Sequence, residues 1–339
     1  MLRSLGALLL ALGAGCVPDP DIKVPDFSVP RPPVDMASPP ADLTAPADLS
    51  DLGAAAWQPE RTGTMAFLRG AWAADGALSA AYIVGHGGTI LRRTQGGDYV
   101  VEPSGTTENL YAVVGLPGGE AYAVGAAGVI LHRQEGTWKR EGMGLALTVG
   151  LFGVAAAGPD EVIAVGDAGT IVRRSGGTWQ AETSGTRSDL RAVWMGSGEA
   201  VAVGAMATIL RRQMGGWGAD GASVQPADRQ NLFAIASLDG VLFAAGEYGT
   251  VLRRQMDRWV AEPTVKPPMM MQPPHLYGLW AGGGEVVVVG SAGALQRRTA
   301  MGTWVEERSG TQVDLSAVTG AGGRALLAVG AMGTVLRRP

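Results

Sequence analysis

A nine-residue phrase, GDAGTIVRR at Gly166–Arg174, recurs in varied form seven times along this chain, and it restricts the fold more than any other feature. Its copies open at Gly85, Gly125, Gly166, Gly204, Gly246, Gly290 and Gly330, with steps of 40, 41, 38, 42, 44 and 40 residues. Short apolar runs between glycines at a period near forty mark radial repetition of small sheets. The spacing predicts an all-β, seven-bladed β-propeller. Each unit parses into four strands of four to six β-branched and apolar residues. In the third unit these are Leu151–Ala155, Glu161–Val165, Thr170–Arg174 and Trp179–Glu182. Its glycines are read as supplying the positive φ of tight hairpins.

The outermost strand has its own signature, an aromatic residue followed three positions later by an acid. It occurs as Tyr99 and Glu102, Trp138 and Glu141, Trp179 and Glu182, Trp217 and Asp220, Trp259 and Glu262, and Trp304 and Glu307. The seventh unit stops at Pro339, directly after its third strand. Its missing strand is found far upstream as Trp57-Gln58-Pro59-Glu60, whose continuation Arg61–Thr64 parallels Arg308–Thr311. The N-terminal segment is therefore expected to complete the last blade and remove two unpaired sheet edges.

Residues 1–15 read as a bacterial export signal, with Arg3 before the apolar run Leu5–Leu12, which is too short to span a bilayer. The ending Leu12–Cys16 resembles a lipobox, although Gly13 stands where that motif usually has Leu. Cys16 is the only cysteine, so no disulfide within the chain is available and lipidation of Cys16 is the expectation. Residues 16–53 follow as a tether. Nine prolines and seven aspartates within 17–53 oppose both helix and sheet, and the extended segment would reach on the order of 100 Å. The propeller occupies 54–339. The negative charge resides in the tether, where seven Asp outweigh Lys23 and Arg31, and the neutral body lacks the basic field of a nucleic-acid binder.

The pattern VG..GTILR…GGTW resembles the BNR-like propellers of the photosystem II stability and assembly-factor type, and more distantly the Asp-box sialidases. The resemblance covers roughly residues 57–338. The Asp-box aspartate is missing from Ser175–Trp179 and Glu135–Trp138, and only Asp98 and Asp257 stand near an outer aromatic. The assembly-factor likeness implies a protein that binds partners and turns over no substrate. A sialidase-like hydrolase would need arginines, a nucleophile and a general acid at the central channel. Of the channel strands beginning at Leu110, Leu190, Leu232 and Leu315, only the second carries a charge, Arg191. An enzyme predicts convergent Arg, Tyr and carboxylate side chains at the channel mouth, and their absence would dismiss it.

The Arg doublets (Arg92-Arg93, Arg173-Arg174, Arg211-Arg212, Arg253-Arg254, Arg297-Arg298, Arg337-Arg338, with His132-Arg133) are read as structural, one Arg of each pairing with the outer-strand acid. His86, His132 and His275 have no metal-site spacing, and neither a metal nor another cofactor is expected. The long connection Pro263–His275 holds Met269, Met270 and Met271 between proline pairs. Copper(I) ligation by thioethers is the lesser reading there, and a contact for a partner protein the greater. The turns after each second strand share a face with this connection and vary in side chain. Met206, Tyr248, Met269, Met270, Met271, His275 and Met332 are the candidate contact residues for an unknown protein partner. The expectation is a monomeric, non-catalytic binding or scaffolding propeller of the bacterial envelope, anchored by lipid alone, in the outer membrane, a membrane facing the periplasm, or at the cell surface. A carbohydrate-active enzyme and a glycan-binding propeller are the alternatives.

Overall fold

The computed structural model describes residues 57–74, 78–196, 198–213, 216–220, 229–267, 270–322 and 325–339. The export signal, Cys16 and the tether lie outside them. Seven antiparallel four-stranded sheets form the blades of a propeller. Blades 1 to 6 each use four consecutive strands, beginning with the inner strands Leu68–Ala73, Leu110–Gly115, Leu151–Gly158, Leu190–Gly196, Leu232–Leu238 and Leu276–Gly282. Blade 7 takes Leu315–Thr319, Leu326–Gly330 and Val335–Arg338, then borrows Gln58–Glu60 from the other end of the chain. The borrowed strand pairs Gln58 with Arg337, Pro59 with Leu336 and Glu60 with Val335, as the repeat arithmetic requires.

Apart from a half-buried opening residue in four blades, each second strand is buried along its length, because a blade is covered by a neighbour on both faces. Alternate residues of one strand enter different cores. Tyr82 and Val84 pack with Leu110, Val113 and Trp138 of blade 2, while Ile83 packs with Leu327 and Val329 of blade 7. That is why these strands read as unbroken apolar runs.

The same period of two explains the polar signatures. The two arginines of a doublet point to opposite faces, as do an aromatic and an acid three residues apart. Each outer-strand acid therefore lies in the seam toward the next blade. Glu102, Glu141, Glu262 and Glu307 also have a close cationic or histidine partner in their own blade, whereas Arg173 turns to Glu161 and Arg337 stays 4.0 Å from Glu60. Glu102 accepts from Arg92 of its own blade at 2.7 Å, and from Arg133 and the Trp138 indole of blade 2 at 2.8 and 2.9 Å. Glu262 forms an ion pair with Arg253 at 2.6 Å and accepts from Arg298 at 2.7 Å and Trp304 at 3.1 Å. Glu141 takes His132 Nδ1 at 2.8 Å in place of a first arginine, with Arg174 and Trp179 from blade 3. The doublets are structural as expected, but both members are engaged, and the second crosses to the preceding blade.

The ring closes with the same device. Trp57 donates to Glu307 of blade 6 at 2.9 Å, and Glu60 accepts from Arg93 at 2.8 Å and from the Tyr99 hydroxyl at 2.6 Å. The seam between blades 4 and 5 departs from the pattern. Asp220 is one methylene shorter, and Arg211 pairs with Glu199 at 2.7 Å instead.

One expectation about glycine needs correction. The residue three positions after the opening glycine does have positive φ, as at Gly169 (φ 74°), and Ala207 adopts it too (φ 53°) in the phrase that lacks a glycine there. The opening glycine is extended, φ −164° at Gly166, and is needed for space: a Cβ there would lie 2.0 Å from the Gly150 carbonyl oxygen. The backbone entering the inner strand passes against it.

Burial pushes the seam carboxyls up, but their arginine, indole, histidine and phenol hydrogen bonds outweigh it and hold Glu60, Glu102, Glu141, Glu182 and Glu262 below the ordinary value. A carboxyl with a depressed folded pKa contributes stability that is complete above its unfolded pKa and is lost as pH falls through the folded one. The thermal midpoint should accordingly drop steeply below about pH 4, and a midpoint level down to about pH 3 would refute the clasp account. Glu60→Gln leaves Arg93 beside a neutral partner and should cost about 2 kcal/mol in urea denaturation. The exposed Glu306→Gln should stay within about 0.5 kcal/mol.

Candidate functional site

The site is built by an irregularity that all seven blades share. After its leading leucine, every inner strand slips by one residue against the second strand: Leu68 pairs with Gly85 and Gly70 with Val84, and the same step recurs in blades 2 to 7. Such a bulge releases one residue from the ladder and turns its side chain aside. The released residues are Arg69, Tyr111, Phe152, Arg191, Phe233, Tyr277 and Ser316. With Phe67 and Asp314 they line a cavity of about 300 Å³ at the mouth of the central channel. The next residue of each strand is small (Gly70, Ala112, Gly153, Ala192, Ala234, Gly278 and Ala317), because neighbouring inner strands approach closely there. A Cβ on Gly70 would meet Tyr111 O at 2.8 Å.

The mouth is an aromatic ring that holds two guanidinium groups. The Arg69 guanidinium lies 4.9 Å from the Phe67 ring centre and 5.7 Å from that of Tyr111. Arg191 lies 4.1 Å from the Phe152 ring, a contact worth about 0.5–2 kcal/mol. Arg191 also donates to Asp189 at 2.8 Å. Tyr111 and Phe152 pack at 5.3 Å, and Phe233 and Tyr277 at 5.5 Å. Burial pushes the Tyr277 hydroxyl up, with Asp314 adding to the effect. Burial likewise lowers Arg69, and the like charge of Arg191 adds to that.

The turns after the second strands surround this mouth. Their outermost residue is left-handed in every blade, whether glycine or not: Gly87, Ala127, Ala168, Met206, Tyr248, Ala292 and Met332. In five blades its N–H is held by the side chain of the residue before the next inner strand, as Met206 by Asn231 and Ala168 by Asp189. Met206 and Met332 are 57% exposed and Tyr248 46%. His275 occupies the holding position in blade 6, with Nδ1 3.4 Å from the Tyr248 N–H. Its ring bridges Tyr248, at 4.8 Å, and Tyr277, at 6.2 Å, joining rim to mouth. The other variable turn residues serve the backbone: Asp167 takes the Gly150 N–H at 2.8 Å and Glu247 takes that of Asn231 at 3.0 Å.

The methionine connection is only partly outward. Met271 is 97% exposed, Met270 is half-buried, and Met269 lies outside the described residues. The segment is tied down at Val265, whose backbone N–H and C=O both bond the buried Gln296 side chain, at 3.1 and 2.5 Å. This accounts for a glutamine where the other phrases have an apolar residue. His132 stacks on Tyr122 at 4.1 Å inside the seam between blades 2 and 3, away from the mouth. Among the described residues no three His, Cys, Asp or Glu side chains gather as a metal site would require.

The sequence reading took the channel strands as apolar and passed over the released position. Its signal is present: in Leu-x-[Gly/Ala], repeated from Leu68 to Leu315, only x changes freely. The mouth does bring Arg69, Arg191, Tyr111, Tyr277 and Asp314 together, so the combination whose absence would dismiss an enzyme is present.

Architecture and mouth together define a seven-bladed β-propeller with a ligand-sized cavity on its axis. No protein-family model and no curated protein matches the chain. Solved structures resemble it. YCF48 from Cyanidioschyzon merolae is 17% identical, with 84% of this chain and 99% of that one covered and a TM-score of 0.66. A structure of YCF48 bound to D1 peptide is 19% identical, covering 83% and 96%, with a TM-score of 0.65. Virginiamycin B lyase from Staphylococcus aureus is 14% identical, covering 83% and 98%, with a TM-score of 0.70. At these identities the likeness is one of fold.

Burial and the neighbouring Arg69 charge hold His86, which packs on Phe67 at 5.1 Å, below the ordinary histidine pKa. Arg69→Gln should therefore raise the His86 pKa in an NMR titration, and an unchanged curve would place the guanidinium away from that ring.

Proposed function

We propose that this chain is a non-catalytic, envelope-anchored propeller that binds a segment of a partner protein across the face holding the channel mouth. The observation that carries the reading is the released ring itself: two arginines, four aromatic residues and a serine brought to one cavity and framed by Met206, Tyr248 and Met332. Aromatic and arginine side chains supply most of the energy at protein interfaces, and methionine adapts to varied contacts. A similarly folded neighbour has been solved with a peptide bound. Residues 1–15 export the chain, Cys16 carries the lipid, and residues 16–53 hold the propeller away from the membrane. Met269, Met270 and Met271 extend the contact face, with His275 bracing Tyr248.

A catalytic reading has support in the residues gathered at the mouth and in the enzyme among the structural neighbours. The carboxylates favour binding instead. Asp189 gives one oxygen to the Ala168 N–H and the other to Arg191, and Asp314 gives one to the Ala292 N–H. Glycoside hydrolysis uses two carboxylates facing the scissile bond, one of them as a proton donor.

Crosslinking in the native envelope tests both parts at once. The unaltered chain should yield a defined crosslinked partner in the membrane fraction. Met206→Asp with Met332→Asp should remove that partner without lowering the thermal midpoint by more than a few degrees, and Cys16→Ser should move the chain to the soluble fraction. An unchanged partner after the paired substitution would overturn the binding face, and a membrane-bound Cys16→Ser chain would overturn the anchor.

A further inference from the structure

The channel mouth holds one positive charge that has no ion-pair partner among the described residues. Arg191 is matched by Asp189 at 2.8 Å, and the second arginines of the doublets are matched in the seams. Arg69 forms no ion pair with any carboxylate among the described residues and is held in place by Phe67 and Tyr111. Guanidinium groups removed from water without an anion are costly, and a fold that keeps one beside a cavity leaves it available to a ligand. Beneath the mouth the channel continues as a further space of about 190 Å³, lined by the same released residues together with the small and aliphatic residues that follow them in each inner strand. A cation stands among aromatic rings at the channel mouth.

We propose that the mouth recognises a carboxylate carried beside an apolar or aromatic side chain on a peptide segment. The apolar side chain packs against the aromatic ring of the mouth, and the carboxylate meets the guanidinium of Arg69. This ligand class rests on the partner-binding reading and sharpens it. The cavity, at the lower end of the roughly 300–1,000 Å³ typical of ligand sites, admits one or two side chains and no folded element. Asp314 also lines the mouth, one oxygen engaged by the Ala292 N–H, so a second acidic group on the ligand meets like charge. One acid next to one large apolar residue is the preferred pattern. The carboxylate comes either from an acidic side chain or from a chain terminus, since both offer the same planar pair of oxygens to a guanidinium.

Isothermal titration of the full chain with short synthetic probes tests this. Acetyl-Leu-Phe-Glu-Phe-Leu-amide is compared with its Gln counterpart, with a Glu-Glu version, and with acetyl-Leu-Phe-Phe carrying a free C-terminal carboxylate. The Glu peptide should bind about tenfold more tightly than the Gln peptide and better than the Glu-Glu version. The terminal-carboxylate probe tells which source is preferred. Arg69→Gln should abolish the acid preference while the thermal midpoint stays put, and Arg69→Lys should retain part of it. Equal binding of the Glu and Gln peptides, no binding of any probe at millimolar concentration, or an acid preference that survives Arg69→Gln would each overturn the proposal. Binding of an oligogalacturonate in place of the peptides would also overturn it, in favour of an anionic glycan. If the paired Met206 and Met332 substitution still removes the envelope partner while the probes show no acid preference, the ligand class fails and the partner face stands. The reverse pattern would retain the acid site and reject that face.

Discussion

The propeller depends on one carboxylate in each seam between blades. Stacked sheets bury apolar area well, but apolar contact alone is non-directional and would tolerate sliding or a change in blade number. A carboxylate that accepts from its own blade and from an arginine and an aromatic donor of the next fixes the relative height and tilt of both. The arrangement is charge-assisted, partly withdrawn from water and repeated around the ring. It also explains a sequence habit that would otherwise look redundant. A doublet is needed because one arginine serves the seam ahead and the other the seam behind, and a spacing of three sends aromatic and acid in opposite directions.

The fold was legible from the sequence because its constraints are local and repeated. Seven phrases counted the blades, and the stray Trp57–Glu60 segment matched the strand that blade 7 lacked. Faces were harder. Alternation shows that Arg173 and Glu182 share a side, but not that Glu182 also meets Arg212 and Trp217 of the following blade. Contacts across a seam join residues thirty or more positions apart, and nothing in a single repeat announces them. The glycine opening each phrase was assigned to the wrong physics for the same reason. Its neighbour in space is the Gly150 carbonyl or an equivalent, supplied by a strand some fifteen residues upstream.

The mouth was the part least visible in sequence. A bulge is a property of pairing, and a run such as Leu110–Val114 reads as plain apolar strand until its partner's register is known. Once the slip is seen, Arg69 and Tyr277 become mouth residues, while Met270, placed among the outward methionines by sequence, turns out half-buried. Gln296 shows how a departure from the repeat can be read: a polar side chain in an apolar position marks where an irregular connection is fastened to the body.

The shared slip in the inner strands divides labour between adjacent positions. The leading leucine and the small residue that follows the slip carry the packing, whereas the residue between them belongs to no ladder pair. Seven side chains can thus be exchanged with little effect on the scaffold, much as keys are cut on a common blank. Chains sharing this ring could diverge in what they hold while remaining equally stable, so specificity would follow the composition of that single circle more closely than overall similarity.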